Sequence, residues 1–190
     1  MQFDSKDSLL LFDKFNKLLA LKLTDQFSSD FKVSFSMKEY ESTIHAYENC
    51  LKTVPSFSFI GQFNYSNRGV LLAVDPQIIY ALTQSCFGVD PDQLTQKSES
   101  YFNFSEQFIG KEFISVLLSY FEEKACSIQL GRIDDQLDQI HLFFLDEQVV
   151  HVTMHCYIQG KEAGAIQLIY PLQFMKKEQD KWLSINEVKQ

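Results

Sequence analysis

Apolar residues recur along this chain with two periods, and the switching between them divides it into elements. Over about 8–26, Leu11, Phe12, Phe15, Leu18, Leu19 and Leu23 share one broad face at helical spacing, which predicts an amphipathic helix. Strict alternation follows over 31–37, with Phe31, Val33, Phe35 and Met37 on one side and Lys32, Ser34 and Ser36 on the other, the pattern of a half-buried strand. Tyr40, Ile44, Tyr47 and Leu51 return to helical spacing until Pro55 breaks it. Phe57, Phe59, Phe63 and Tyr65 alternate across a second strand, Ser66-Asn67-Arg68-Gly69 supplies turn chemistry, and 70–74 comes back as a third strand, predicting a hairpin. Asp75 as N-cap and Pro76 as first helical residue open a short helix containing Ile78, Ile79, Leu82 and Cys86, which stops near Gly88.

A polar stretch over 89–102, containing Pro91, predicts a crossover loop. Asn103 and Glu106 are spaced as a capping pair, and Ile109, Phe113, Val116, Leu117, Tyr120 and Phe121 form the stripe of a second long helix. Strands are expected over 127–133, 140–145 and 148–159, and Gly160-Lys161-Glu162-Ala163-Gly164 turns the last of them into 165–170. The tail after Pro171 reads as helical through Lys181, with loose final residues.

The second half thus repeats the order of the first. Gly69-Val-Leu-Leu-Ala-Val-Asp-Pro76 and Gly164-Ala-Ile-Gln-Leu-Ile-Tyr-Pro171 share a glycine, an apolar run and a proline, 95 residues apart in a chain of 190. In the same register Phe31, Val33 and Phe35 fall opposite Cys126, Ile128 and Leu130. We read an internal duplication, with pseudo-repeats at about 8–87 and 103–180 folded into one domain over 1–190, because one half alone buries too little surface to be stable.

Composition narrows the function classes. Hydrophobic residues make up 45% of the chain and include 18 Phe, enough for a well-buried core. With 17 Lys+Arg against 25 Asp+Glu the formal charge is −8, and no long basic run exists, so nucleic acid and acidic membrane surfaces are poor partners. Cys50, Cys86, Cys126 and Cys156 are widely spaced without a CxxC pair, and no secretory signal opens the chain, which points to reduced cysteines in a cytoplasmic protein. No apolar run approaches the ~20 residues of a membrane span.

Candidate chemistry is sparse. His151 and His155 lie four apart in an expected strand, about 13 Å from one another, with Cys156 on the other face, so these three do not share an ion. His45 and His141 have no partners nearby in sequence, and Asp134, Asp135 and Asp138 read as a solvated connection. Nucleophile, nucleotide and zinc-protease motifs are missing. No metal, cofactor or catalytic residue is therefore expected. Phe102, Phe104, Phe108, Phe143 and Phe144 either form an exposed docking patch or, the default for Phe, belong to the core.

The residues Leu71-Leu72-Ala73-Val74-Asp75-Pro76-Gln77-Ile78-Ile79-Tyr80, then Cys86-Phe87-Gly88 and Tyr170-Pro171-Leu172, resemble the middle domain of the flagellar motor switch protein FliM and its relatives, the CheC/CheX/FliY phosphatases and the SctQ ring proteins of type III secretion. The resemblance covers nearly the whole chain. It implies a pseudo-twofold three-layer α/β/α sandwich (α/β, or α+β, in class) with a central, largely antiparallel sheet. It also implies a scaffold or adaptor role in a bacterial switch or secretion-associated cytoplasmic ring, with a glycine-rich loop that docks a FliG-like rotor protein or another ring component. By position that loop is 87–94, and its partner-binding residues are Phe87, Gly88, Val89, Asp90, Pro91 and Asp92, with Phe87 anchoring it in the core. Val89 stands where the family has a second glycine, and Pro91 follows, so the loop is either a docking surface for a changed partner or a solvated crossover. The acidic segment that precedes the family's domain and the surface-presentation domain that follows it are not in this sequence, which reads as an excised domain or a stand-alone relative. The alternative in this fold, a CheC-like phosphatase acting on a phosphorylated response regulator, uses an acidic residue or Ser, then Glu four later and Asn three beyond. Here Asp13 is followed by Lys17 and Ala20, and Ser105 by Ile109 and Glu112, so the pattern is not present.

Overall fold

The structure, a computed structural model, describes residues 5–98 and 101–178. A long helix α1 (Ser5–Phe31) leads into strand β1 (Phe35–Ala46), and a single turn and a half of helix, α2 (Tyr47–Leu51), precedes the hairpin of β2 (Phe57–Tyr65) and β3 (Arg68–Val74). Helix α3 (Pro76–Cys86) and the crossover lead to α4 (Phe104–Glu123), followed by β4 (Gln129–Gln136), β5 (Gln148–Ile158), β6 (Lys161–Pro171) and a last helical segment over 172–178.

All six strands form one antiparallel sheet in the order β1-β5-β6-β3-β2-β4. That order reads the same from either end when β1, β2 and β3 are exchanged with β4, β5 and β6. The central ladder pairs Leu71 with Ile169 and Val74 with Ile166, so its midpoint joins positions 95 apart. Outside it, Phe35 faces Ile158 in one half and Leu130 faces Phe63 in the other, two pairs related by the same offset.

Alternation along the strands builds two cores. Val70, Leu72 and Val74 of β3, with Val150, Val152 and Met154 of β5, face a layer made of α1, α3, α4 and the last helical segment. Phe12, Phe15, Phe27, Phe113, Phe121 and Phe174 fill the space between, and Phe27 and Phe113 bring α1 and α4 to a ring separation of 4.1 Å. Leu71, Ala73, Val149 and Ile169 face the other way, against a thin layer of α2 and the irregular segment 137–147, where Tyr47 packs on Phe143 at 5.0 Å. No helix among the described residues is long and apolar enough to cross a membrane.

The Asn103–Glu106 capping box is present. Asn103 Oδ1 accepts from the Glu106 N–H at 3.0 Å, and the Glu106 carboxylate accepts from the Asn103 N–H at 2.8 Å. Asp75 caps α3 by accepting from the Gln77 N–H at 2.8 Å, with Pro76 at the first helical position.

Three expectations are corrected. Phe31 closes α1 instead of opening a strand, because Lys32 takes a positive φ of 52° and ends the helix there. Residues 40–46 continue β1 instead of forming a helix. Glu39, at φ 55°, makes a bulge between Lys38 and Tyr40 that shifts the strand's phase, so Phe35, Met37, Tyr40 and Ile44 all face the main core. The segment 140–145 forms no strand. Its backbone closes turns, with the Ile140 N–H donating to Leu137 O and the Glu147 N–H to Phe144 O, while Ile140 and Phe143 plug the second core. The helix expected through Lys181 is seen over 172–178, and its continuation and the expected loose end lie outside the described residues.

Candidate functional site

Helix α3 ends in a Schellman motif. The Gly88 N–H donates to Ser85 O at 3.0 Å and the Val89 N–H to Gln84 O at 3.1 Å, a closure that requires the left-handed φ of 77° that Gly88 adopts. Space around Gly88 is open. Asp90 then caps a short 3-10 turn, Pro91–Gln93, by accepting from the Asp92 N–H at 2.9 Å, and Asp92 pairs with Lys161 Nζ at 3.0 Å across the mouth of the β5–β6 hairpin. Val89 is half-buried, whereas Asp90 and Asp92 are exposed.

Phe87 contradicts its expected core role, since it is 74% exposed. Its backbone is committed to the helix cap, with the N–H shared between Thr83 O and Gln84 O, and this turns the ring outward. The ring is not alone there. Phe104, at 87% exposed, and Phe108, at 55%, project from the first turns of α4, and together with Phe31, Cys86 and Phe87 they line an apolar groove of about 450 Å³. Cys86 stays exposed, and partial desolvation beside the neighbouring rings raises its thiol above its ordinary value. Phe102, by contrast, is buried against Phe57 and Phe59.

The core default for Phe therefore fails at Phe104 and Phe108. The signal that identifies them is their phase: they stand four apart and share a helix face displaced from the stripe of Ile109, Phe113 and Val116. Three exposed phenylalanines from two helices beside one loop form a contiguous apolar patch of the kind that marks an interaction surface.

The crossover behind this patch is held firmly. Gln84 mimics a strand neighbour for Thr95, donating from Nε2 to its carbonyl at 3.1 Å and accepting its N–H at 3.2 Å, and Gln77 does the same for Lys97 at 3.3 and 3.0 Å. Lys97 Nζ reaches both oxygens of the fully buried Glu106, at 2.9 and 3.0 Å. Such a charge pair tolerates burial only when its remaining lone pairs are satisfied, and the capping box does so. The loop is thus presented on a fixed frame, which lowers the ordering cost of binding.

Elsewhere, of the positions compared with the phosphatase pattern, Ala20 and Ile109 are buried, Lys17 is exposed and Glu112 is half-buried, so neither long helix presents the Glu and Asn together. The sheet also brings together residues distant in sequence. His45 Nε2 lies 3.3 Å from His151 Nδ1, and His151 Nε2 lies 2.8 Å from Gln167 Oε1. Burial, chiefly, holds the His151 imidazole below its usual value, so the ring is neutral near neutral pH. Burial also pushes the neighbouring Cys50 thiol up to about 12.

A family model described as flagellar motor switch protein FliM matches residues 5–184. A search of curated protein sequences finds no significant match. Among solved structures, the chain is similar to the FliM middle domain from H. pylori, with 16% identity over 93% of this chain and 98% of that one and a TM-score of 0.75. It is similar to the FliM middle domain from Vibrio alginolyticus at 11% identity, covering 92% and 99%, TM-score 0.75, and to Thermotoga maritima FliY at 9% identity, covering 97% and 99%, TM-score 0.71. At these identities the structural likeness speaks for the fold, and the match along nearly the whole chain speaks for descent: this chain belongs to the flagellar motor switch protein FliM family.

Proposed function

We propose that this chain is a non-enzymatic scaffold domain of a cytoplasmic flagellar switch or secretion-associated ring, and that it docks a rotor-type protein through Phe87, Phe104, Phe108 and the loop residues Gly88, Val89, Asp90, Pro91 and Asp92. The observation that carries this reading is the exposure of three phenylalanines around one groove, beside a loop whose backbone is already ordered. A FliG–FliM complex from H. pylori, whose FliM is 16% identical to this chain with a TM-score of 0.70, supports the class of partner. On α1 Lys17 and buried Ala20, and on α4 buried Ile109 and Glu112, stand where a phosphatase would have Glu and Asn, which supports the absence of turnover.

Binding of the purified chain to the FliG-type protein of the same organism, followed by calorimetry, tests the proposal. Phe104→Ser and Phe108→Ser remove exposed rings, so stability should stay within about 0.5 kcal/mol of wild type. If the rings are interface anchors, each change should cost about 2 kcal/mol of binding, roughly thirty-fold in Kd. Unchanged affinity in the double variant would remove the groove from the interface. Catalytic turnover of a phosphorylated receiver domain by the wild-type chain would overturn the scaffold reading.

A further inference from the structure

On the sheet face opposite the helical layer, three side chains with metal-ligating atoms converge, and docking uses none of them. Thr43 of β1 is the direct cross-strand partner of His151 in β5, and His45 stands two residues further along β1, so the two imidazoles are diagonal neighbours on one face. Helix α2 starts at Tyr47 and folds back over that face, bringing Cys50 to the pair. One donor atom from each of His45, Cys50 and His151 lies within 4.8 Å of the others.

The spacing suits a tetrahedral ion. Two nitrogens bound at ~2.05 Å in a tetrahedron stand roughly 3.3 Å apart, and His45 Nε2 and His151 Nδ1 are 3.3 Å apart. A thiolate bound at ~2.3 Å would stand about 3.6 Å from each nitrogen, so Cys50 Sγ, now within 4.8 Å of both, has to close in on them by roughly an ångström when the ion binds.

Gln167 already holds one of the two imidazoles, His151, in the required tautomer, while His45 Nε2, which donates to His151 Nδ1 without metal, must carry its proton on Nδ1 when the ion binds. Gln167 donates from Nε2 to the Thr53 carbonyl at 3.0 Å, which fixes the amide and turns Oε1 toward His151. That oxygen only accepts, so the His151 proton sits on Nε2 and Nδ1 presents its lone pair toward His45. An amide or carboxylate behind a ligating imidazole is the usual outer-shell partner of a metal site. A separate observation lies next to Cys50. The Tyr47 hydroxyl is buried and has no hydrogen-bond partner among the described residues, and Tyr47 and Cys50 are three apart on one helix and share one apolar cluster. A buried hydroxyl without a partner is costly, and a water admitted with the ion would supply one.

We infer that His45, Cys50 and His151 bind a transition-metal dication, Zn²⁺ in the first instance, with water in the fourth position on the half-buried His45 side. Two imidazoles and a thiolate select a borderline-soft ion over Ca²⁺ or Mg²⁺, which take oxygen ligands. The bound ion would pin α2 to the β1–β5 edge of the sheet, far from the phenylalanine groove, so the site stands or falls independently of the docking surface.

Co²⁺ is the spectroscopic probe. Titrated into the full chain, purified without a histidine tag and stripped with chelator, it should bind one per chain and give a thiolate-to-cobalt charge-transfer band with the intense visible bands of a tetrahedral centre, all bleached by Zn²⁺. Cys50→Ser should abolish the charge-transfer band, and His45→Ala, at a half-buried position on the outer strand, should weaken binding by at least ten-fold. Zn²⁺ should raise the Tm of wild type and leave the His45→Ala/Cys50→Ser double variant unchanged. A wild-type chain that gives no charge-transfer band, or a Zn²⁺-dependent Tm shift that survives in the double variant, would overturn the assignment. Should the variants fail to fold, the wild-type spectrum and stoichiometry decide alone.

Discussion

Asp75 carries two opposed tasks at a single position. Its carboxylate caps α3, and it lies against Gly164, where the left-handed backbone at φ 120° and the carboxylate carbon leave no room for a Cβ. Burial, the larger effect, raises its pKa above 3.8, and the hydrogen bond from the Gln77 N–H only partly offsets that rise. Below pH 3.8 both folded and unfolded chains hold the proton and the shift has no effect. As pH climbs from 3.8 through the folded value, the unfolded chain releases its proton first, so stability falls with pH across that window and stays lower above it. Asp75→Asn keeps a capping oxygen and discards the buried charge. It should therefore melt higher than wild type at pH 7, with the difference shrinking as pH is lowered toward about 4. A gap between the two proteins that stays constant with pH, or a more stable wild type at pH 7, would remove burial of charge as the governing effect. Asp75→Ala, which loses the cap as well, should cost about 1 kcal/mol relative to Asn.

At the scale of elements, α4 shows how packing can reverse a propensity. A glycine inside a helix costs roughly 0.5–1 kcal/mol against alanine, yet a Cβ on Gly110 would lie 2.4 Å from the Phe59 ring. The helix crosses the sheet there at a distance only glycine permits. Gly110→Ala should thus destabilise by about 1–3 kcal/mol in urea unfolding, the cost of overpacking, where a surface glycine would gain; a stabilised variant would mean that Phe59 moves aside freely. The same tension between local pattern and packing decides which elements can be read from sequence. The long helices, the hairpin, the capping box and the Pro76 helix start are legible because period, caps and turn residues agree. Residues 40–46 are not. Tyr40 and Ile44 stand four apart, a spacing that lands on one face of a helix and of a strand alike, and the bulge at Glu39 that sets their phase leaves no local signature. Ile140 and Phe143 look like strand residues because they are buried, but they lie against a sheet face without joining it. The position of the loop after α3 was legible, whereas Phe87 was misplaced, since its outward direction follows from the Schellman closure and not from its apolar character. The His45–Cys50–His151 group was invisible to sequence because a cross-strand register, not a local spacing, assembles it.

For the whole molecule, the strand order carries a consequence for how the chain can be divided. If the two pseudo-repeats were independent, each would pair its own three strands. Instead, among the described residues, β1 pairs only with β5, and β4 only with β2, so each repeat contributes its outer strand to the other's side of the sheet. The helical layer is interleaved in the same way. Tyr120 of α4 donates to Phe15 O of α1 at 2.6 Å, Tyr170 of β6 donates to Asn16 Oδ1 at 3.1 Å, and Lys22 pairs with Glu123. A fragment of 1–98 would leave β1 without a partner and the inner face of α1 without α4, and a fragment of 101–190 would leave β4 in the same position. Neither has a closed core, and each exposes strand edges that invite aggregation. We therefore expect each fragment alone to lack dispersed amide resonances and cooperative thermal unfolding. Co-expressed, the two should copurify as a one-to-one complex with the circular dichroism of the intact chain, at reduced stability because the crossover no longer makes their association intramolecular. A dispersed spectrum from either fragment by itself would show that a repeat is a folding unit in its own right. The molecule would then be a docked pair of similar halves rather than one interlocked sheet.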